Sequence, residues 1–246
     1  MNYSWNWGVF LEPVSTGEPA TYLGWLLSGF YVTIQVSLAA WIIALIFGTY
    51  LGVLRTLPGH GWPNIGAAYV SIFRNIPLIV QFFIWYFVIP ELLPQHLGTW
   101  IKQLPPTTQF FATSVVCLGL FTAARLCEQV RSGLLSLPPR QSAACLALGF
   151  SRWQAYRYVL LPVSFRVILP PLTSEFLNVF KNSAVASTIG LLELTAQARQ
   201  LVDYTAHTYE SFVGVTLAYA VINLFVVASA RIIEPKLRIP GSMGVG

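Results

Sequence analysis

The sequence predicts an all-α protein that crosses a lipid bilayer five times. First, 55% of its 246 residues are hydrophobic and only 9% are charged. Soluble domains carry about a quarter charged residues. Second, the mean hydropathy is +0.64, and the apolar residues fall into runs of span length. Third, the cations concentrate in alternate polar stretches. Too few charges remain to coat a water-facing surface, so a water-soluble enzyme is excluded.

A bilayer core takes about 20 apolar residues per helix. Pro19 to Leu54 carries no charge and ends at Arg55, which places the first span at 24–54. The second runs 65–89, interrupted by Arg74 and Pro77. The third, 107–130, has Arg125 and Glu128 near its end. The fourth, 164–190, contains Glu175 and Lys181, and the fifth runs 211–232.

Five spans put the termini on opposite sides, and the cations decide which. Residues 1–23 hold Glu12 and Glu18 but no Lys or Arg, with Trp5 and Trp7 suited to the membrane interface. This start lacks the basic stretch of a signal peptide. The stretch after the third span is basic, with Arg131, Arg140, Arg152, Arg157 and Arg166, and the tail carries Arg231, Lys236 and Arg238. The expected topology is N-terminus periplasmic, C-terminus cytoplasmic. The net charge of +5 follows from this asymmetry, and no soluble basic face is offered to nucleic acid.

The most informative segment is the cytoplasmic loop 137–162. Pro138 and Pro139 can open a helix but not sit inside one. Gln141 to Leu148 reads as a short helix, Gly149 as its left-handed cap and Ser151 as the N-cap of a second helix, Arg152 to Leu161. Pro162 stops or kinks that helix. Trp153 and Tyr156 read as large surface anchors on an exposed elbow.

This loop resembles the EAA motif of the permeases of ATP-binding-cassette (ABC) importers. That motif runs as Glu-Ala-Ala, three residues, Gly, about nine residues and Leu-Pro. Ser142-Ala143-Ala144 read as its first positions, with Gly149 as the Gly and Leu161-Pro162 as the close. Ser142 stands in place of the acidic residue. Phe73 to Gln81 (FRNIPLIVQ), Arg131-Ser132-Gly133 and Lys181-Asn182-Ser183 resemble motifs of the polar amino-acid permeases. Longer strings, GLFTAARLCEQVR from Gly119 and YTAHTYESF from Tyr204, resemble permease subunits of bacterial glutamate/aspartate importers. The resemblance spans about residues 20–235.

It implies a single permease domain with the ABC type I importer transmembrane fold, in the bacterial inner membrane. It also implies three partners: a homologous permease subunit in a heterodimer, a homodimeric ABC ATPase holding ATP and Mg, and a periplasmic amino-acid-binding protein. The loop residues Ser142, Ala143, Ala144, Gly149, Trp153, Tyr156 and Pro162 would couple to the ATPase.

Ionisable side chains at membrane depth cost at least about 2.5–3.5 kcal/mol each on insertion scales. They persist when paired or when lining a wet path. Arg125 can pair with Glu128 on its own helix, as Glu128 can with Arg131. In the wider family its position is commonly an uncharged aromatic, so an Arg there suits the side-chain carboxylate of an acidic substrate. Arg74 either ties down the kinked segment or binds the substrate α-carboxylate. Glu175 and Lys181 each pair with a neighbouring helix or the partner subunit, or Glu175 takes an α-ammonium; Asn178 and Asn182 lie near Lys181 as sources of hydrogen bonds.

His60, His96 and His207 read as exposed loop residues. Cys117, Cys127 and Cys145 read as small buried hydrophobes without disulfide or metal spacing. The chain holds no phosphate-binding Gly-x-x-x-x-Gly-Lys-Ser/Thr loop, so ATP hydrolysis falls to another subunit. Three alternatives remain: a permease for glutamine or basic amino acids, a secondary carrier working without ATP, and a membrane enzyme. Three cations in the path and the lack of a catalytic constellation weigh against the first and last.

Overall fold

The computed structural model describes residues 3–59 and 61–237, the last four by their backbone alone. His60 and Arg238 lie outside the described residues, as does the side chain of Lys236. Within them the regular secondary structure is helical, apart from one isolated bridge between Pro13 and Thr21.

Among the described residues, four helices are long and apolar enough to cross a membrane. They are α1 (Tyr22–Leu54), α5 (Pro106–Leu135), α7 (Arg152–Ile189) and α9 (Thr208–Leu237). The predicted second span is instead a pair, α2 (Gly61–Asn75) and α3 (Leu78–Leu92), which counts as a fifth span only if the two are taken together. Pro77 explains the break: it bars the helical region to Ile76, and α3 begins one residue later. Shorter helices α4 (Gln95–Lys102) and α8 (Leu194–Thr205) occupy stretches expected as loops, while α6 (Pro139–Ala147) is the first helix expected in the elbow.

Proline shapes α3 and α7 in the same way. Pro90 and Pro162 would each lose one helical hydrogen bond and clash with the carbonyl four residues back. Both are preceded by a single π-helical turn, Ile84–Val88 and Tyr156–Leu160. The amide before each proline donates to a carbonyl five residues back, Ile89 N–H to Ile84 and Leu161 N–H to Tyr156. The widened turn absorbs the ring. Pro162 therefore does not stop the helix as the sequence suggests: the second limb of the elbow runs on unbroken into the fourth span.

The chain divides into two compact units. The first comprises Met1–Trp41, Ile76–Gly119 and Asn178–Leu224. Its core joins Val9, Trp25, Leu194 and Leu201 in one cluster and Val36, Phe82, Leu118 and Val179 in another. The N-terminal segment is tied down by Glu210, wholly buried in the first turn of α9. Its carboxylate accepts from the Asn6 amide at 2.7 Å and from the Tyr3 hydroxyl. That bond to the carboxylate, with burial adding to it, pushes the Tyr3 phenol up to about 12. His207 is not free in a loop: its Nδ1 lies 3.7 Å from Glu210. Glu193, also wholly buried, caps α8 by accepting from the Ala196 amide at 2.8 Å and from the Tyr219 hydroxyl at 3.0 Å. Burial pushes its carboxyl up, against those hydrogen bonds.

The second unit comprises Ile42–Asn75, Leu120–Leu177 and Phe225–Gly246. Here α1 meets α5 through Gly48 and Gly52, a small-residue pair at helical spacing. A Cβ on Gly48 would stand 2.6 Å from Leu126, and one on Gly52 would stand 2.7 Å from Val130. Leu51, Val70, Ala124 and Cys127 form the adjoining core. Cys117, Cys127 and Cys145 are all buried free thiols, as expected.

Candidate functional site

The second unit holds a polar cavity of about 350 Å³, lined by Arg74, Phe121, Arg125, Glu128, Gln129 and Glu175. Arg74 comes from the last turn of α2, where the helix dipole favours a cation. Phe121, Arg125, Glu128 and Gln129 share one face of α5 by their spacing. Glu175 comes from α7, just past Pro170 and Pro171.

The ion pairs run between helices. Arg125 Nη1 lies 3.5 Å from Glu175 Oε1, and its guanidinium sits 5.3 Å from the centre of the Phe121 ring. Glu128 Oε1 accepts from Arg55 Nη1 at 2.5 Å and stands 3.9 Å from Arg74 Nη1. Among the described residues, the pairing of Glu128 with Arg125 or Arg131 along α5 is not formed. Glu175 does pair across to a neighbouring helix, as the sequence suggests.

Three guanidiniums thus face two carboxylates, leaving one positive charge in excess. The contacts are uneven. Arg125 to Glu175 is long for a charged hydrogen bond, and Glu175 Oε2 is buried without a partner among the described residues, as is Gln129 Oε1. Arg125 and Arg74 are the exposed members, with Arg74 55% accessible. The cavity therefore offers accessible cations and one underused carboxylate, a set that fits a zwitterion carrying an extra negative charge.

Arg74, Arg125 and Glu175 are brought together as the sequence suggests; Asn178 and Lys181 are not. Neither lines the cavity, and Lys181 is exposed. Arg55, Glu128 and Gln129 were missed as site residues. Arg55 follows its apolar run with no local signal of the residue it reaches.

The elbow also lies in the second unit. Gly149 has φ +84°, which a side chain rarely adopts. The Phe150 amide closes the turn on the Cys145 carbonyl at 3.0 Å. Ser151 forms a capping box with Gln154: Ser151 Oγ accepts from the Gln154 amide at 3.3 Å, and Gln154 Oε1 accepts from the Ser151 amide at 2.8 Å. The apolar tip is Leu148, 78% exposed, with Leu146 and Phe150 beside it. Trp153 is exposed as expected, with Arg157 packed over its ring. Tyr156 is not a surface anchor. It is half-buried, and its hydroxyl bonds to Thr56.

The motif register also shifts. Cys145–Leu148 is one residue longer than the spacer of the EAA pattern, so Ala143, Ala144 and Cys145 occupy its first positions. The acidic position is then Ala143, which is exposed.

Residues 44–239 match the family model described as the inner membrane component of binding-protein-dependent transport systems. The chain is 56% identical over 245 residues to the glutamate/aspartate import permease protein GltJ of Escherichia coli K12, covering 99% of each. It is 29% identical to the glutamate/aspartate import permease protein GltK of Escherichia coli O6:H1, over 82% of this chain and 88% of that one. Among solved structures, it matches an amino acid ABC transporter crystallised with histidines, with TM-score 0.72 and 26% identity, over 87% of this chain and 95% of that one. The inward-facing MetNI methionine ABC transporter shares the fold at TM-score 0.72 and 20% identity, over 87% of this chain and 96% of that one.

Proposed function

Because the chain belongs to the family of inner membrane components of binding-protein-dependent transport systems, we propose that it is the permease subunit of an ABC importer carrying glutamate and aspartate across the bacterial inner membrane. The observation that carries this reading is 56% identity to GltJ over 99% of both chains. The single excess positive charge at the cavity supports the substrate class, since an acidic amino acid carries one net negative charge at neutral pH.

On this reading the whole chain is one permease domain of five spans, N-terminus periplasmic and C-terminus cytoplasmic. It pairs with a homologous permease subunit. A homodimeric ATPase, holding ATP and Mg, receives the elbow 137–162, and a periplasmic binding protein delivers the substrate. The contact with the ATPase rests on Leu148, Phe150 and Trp153 around the Gly149 corner. An acidic anchor plays no part in it.

The cavity is the substrate's station within the membrane. Its volume falls in the usual range of small-ligand sites, about 300–1,000 Å³. Arg125 takes the side-chain carboxylate, Arg74 the α-carboxylate and Glu175 the α-ammonium. Closure of the ATPase dimer moves the elbows, and α7 passes that motion directly to the cavity wall because its helix is unbroken.

Uptake in vesicles tests the reading. The permease pair alone should accumulate no glutamate. With the ATPase and the binding protein added, uptake should require ATP and favour glutamate and aspartate over glutamine. Ion-driven uptake by the permease pair alone would overturn it.

A further inference from the structure

The last turns of α1 and the second limb of the elbow border an apolar groove of about 630 Å³ in the second unit. Leu45, Thr49 and Val53, four residues apart, lie half-buried along it, with Ile46 and Tyr50 exposed beside them. The other wall is Arg152, Trp153 and Tyr156 at the start of α7. Thr56 Oγ1 lies 3.0 Å from the Tyr156 hydroxyl, which also reaches the Thr56 carbonyl at 3.4 Å, so the two walls are pinned together just past the end of α1. From Leu45 to Leu54 the helix rises about 14 Å, close to half of the bilayer's hydrocarbon core of about 30 Å.

The charge at the elbow end of the groove is one-sided. Arg152 lines it, and the Arg157 guanidinium packs over the Trp153 and Tyr158 rings at 5.8 Å from each centre. Among the described residues neither arginine pairs with a carboxylate. Neither wall's stretch of sequence supplies one: 19–90 contains no Asp or Glu, and 129–174 holds five arginines and no Asp or Glu. Tyr50, Trp153 and Tyr156 are of the residue types enriched at the membrane–water boundary. An apolar slot one leaflet deep, ending in aromatics and uncompensated guanidiniums, matches an acyl chain with a negatively charged headgroup. A soluble partner does not reach the Leu45 end at that depth.

We propose that this groove binds one anionic phospholipid of the cytoplasmic leaflet, an inference that takes from the transport reading only its topology. An acyl chain lies along Leu45, Thr49 and Val53, and the headgroup phosphate sits on Arg152. A guanidinium grips phosphate oxygens through two parallel hydrogen bonds. Arg157 adds a second positive charge, which favours an anionic over a zwitterionic headgroup. The topology puts the elbow at the cytoplasmic surface, where anionic lipids attract Arg and Lys. Trp153 is 65% exposed, so it borders the groove and still offers area to the ATPase contact.

The test is native mass spectrometry of the purified permease–ATPase complex, titrated in detergent with phosphatidylglycerol or with phosphatidylcholine of the same acyl chains. Wild type should prefer phosphatidylglycerol about fivefold, the worth of one arginine beside an anionic surface. Arg152→Gln should weaken phosphatidylglycerol binding about tenfold, one charged hydrogen bond. Arg152→Lys should stay within about threefold of wild type, since an ammonium still binds phosphate as a point charge. Thr49→Phe fills the slot and should remove one bound lipid per copy of this chain. Arg140→Gln, on the first limb and outside the groove lining, should bind as wild type does. A photoreactive residue in place of Ile46 should cross-link to phospholipid in native membranes. Equal retention of the two lipids by wild type, or unchanged retention in Arg152→Gln or Thr49→Phe, would overturn the proposal. So would a loss in Arg140→Gln as large as that in Arg152→Gln, or a cross-link from position 46 to a protein chain. Retention in detergent reads the groove whichever way the spans run, so failure here leaves the transport reading intact.

Discussion

At the elbow, Leu148 and Trp153 stand in solvent, 78% and 65% exposed, and the turn is closed by its own backbone and one capping box. At the cavity the ion pairs among the described residues join distant stretches of the chain: Arg55 with Glu128, Arg74 with Glu128, Arg125 with Glu175. The first region is a shape held by local bonds and offers apolar surface to a partner. The second is a charge balance held by distant parts of the chain. A shape can pass on a movement, and a charge balance can convert that movement into a change of affinity.

The comparison can be broken at the elbow first. Gly149→Val places a β-branched residue at φ +84°, a strain of about 1–3 kcal/mol that the turn relieves by changing path. Uptake per complex should fall at least about tenfold while basal ATP hydrolysis and membrane level persist, measured in reconstituted vesicles. The helix contact that carries the cavity is next. Gly52→Leu inserts a side chain where even a Cβ would stand 2.7 Å from Val130. Overpacking of this kind costs about 1–3 kcal/mol, so the thermal midpoint in detergent should drop. Glutamate binding should weaken too, because α1 also carries the approach to Arg55. The smallest effect belongs to Ser142→Ala. Ser142 is half-buried, carries no charge and lies outside the shifted motif register. Coupling of hydrolysis to uptake should change less than about twofold, the range of an ordinary surface substitution.

The elbow was legible in the sequence because its signals are local. Pro138 and Pro139, Gly149 and Ser151 each act on the backbone within a few residues of themselves, so the boundaries follow from their spacing. Where it misled, the cause lies beyond those few residues: Tyr156 turns inward to Thr56, and Pro162, read as a stop or a kink, does not stop the helix because a π turn absorbs its ring, which no residue type marks in advance. The cavity was legible only in part. An Arg or Glu in an apolar run is conspicuous because of its insertion cost, which is how Arg74, Arg125 and Glu175 stood out. Their partners follow from how the helices pack. Glu128 invited pairing with Arg125 and Arg131 along its own helix, yet it pairs with Arg55 and Arg74. Gly48, Gly52 and Gly66 set those approaches by lacking side chains, a role visible only once the opposing helix is in place.

The most direct measurement is the ratio of glutamate to glutamine affinity in the purified permease–ATPase complex, for wild type and for Arg125→Tyr. The account predicts that wild type prefers glutamate. The variant should lose about tenfold in glutamate affinity, one charged hydrogen bond, with glutamine affinity little changed. An unchanged ratio in Arg125→Tyr would contradict the assignment of Arg125 to the substrate carboxylate and, with it, the cavity as the seat of acidic selectivity.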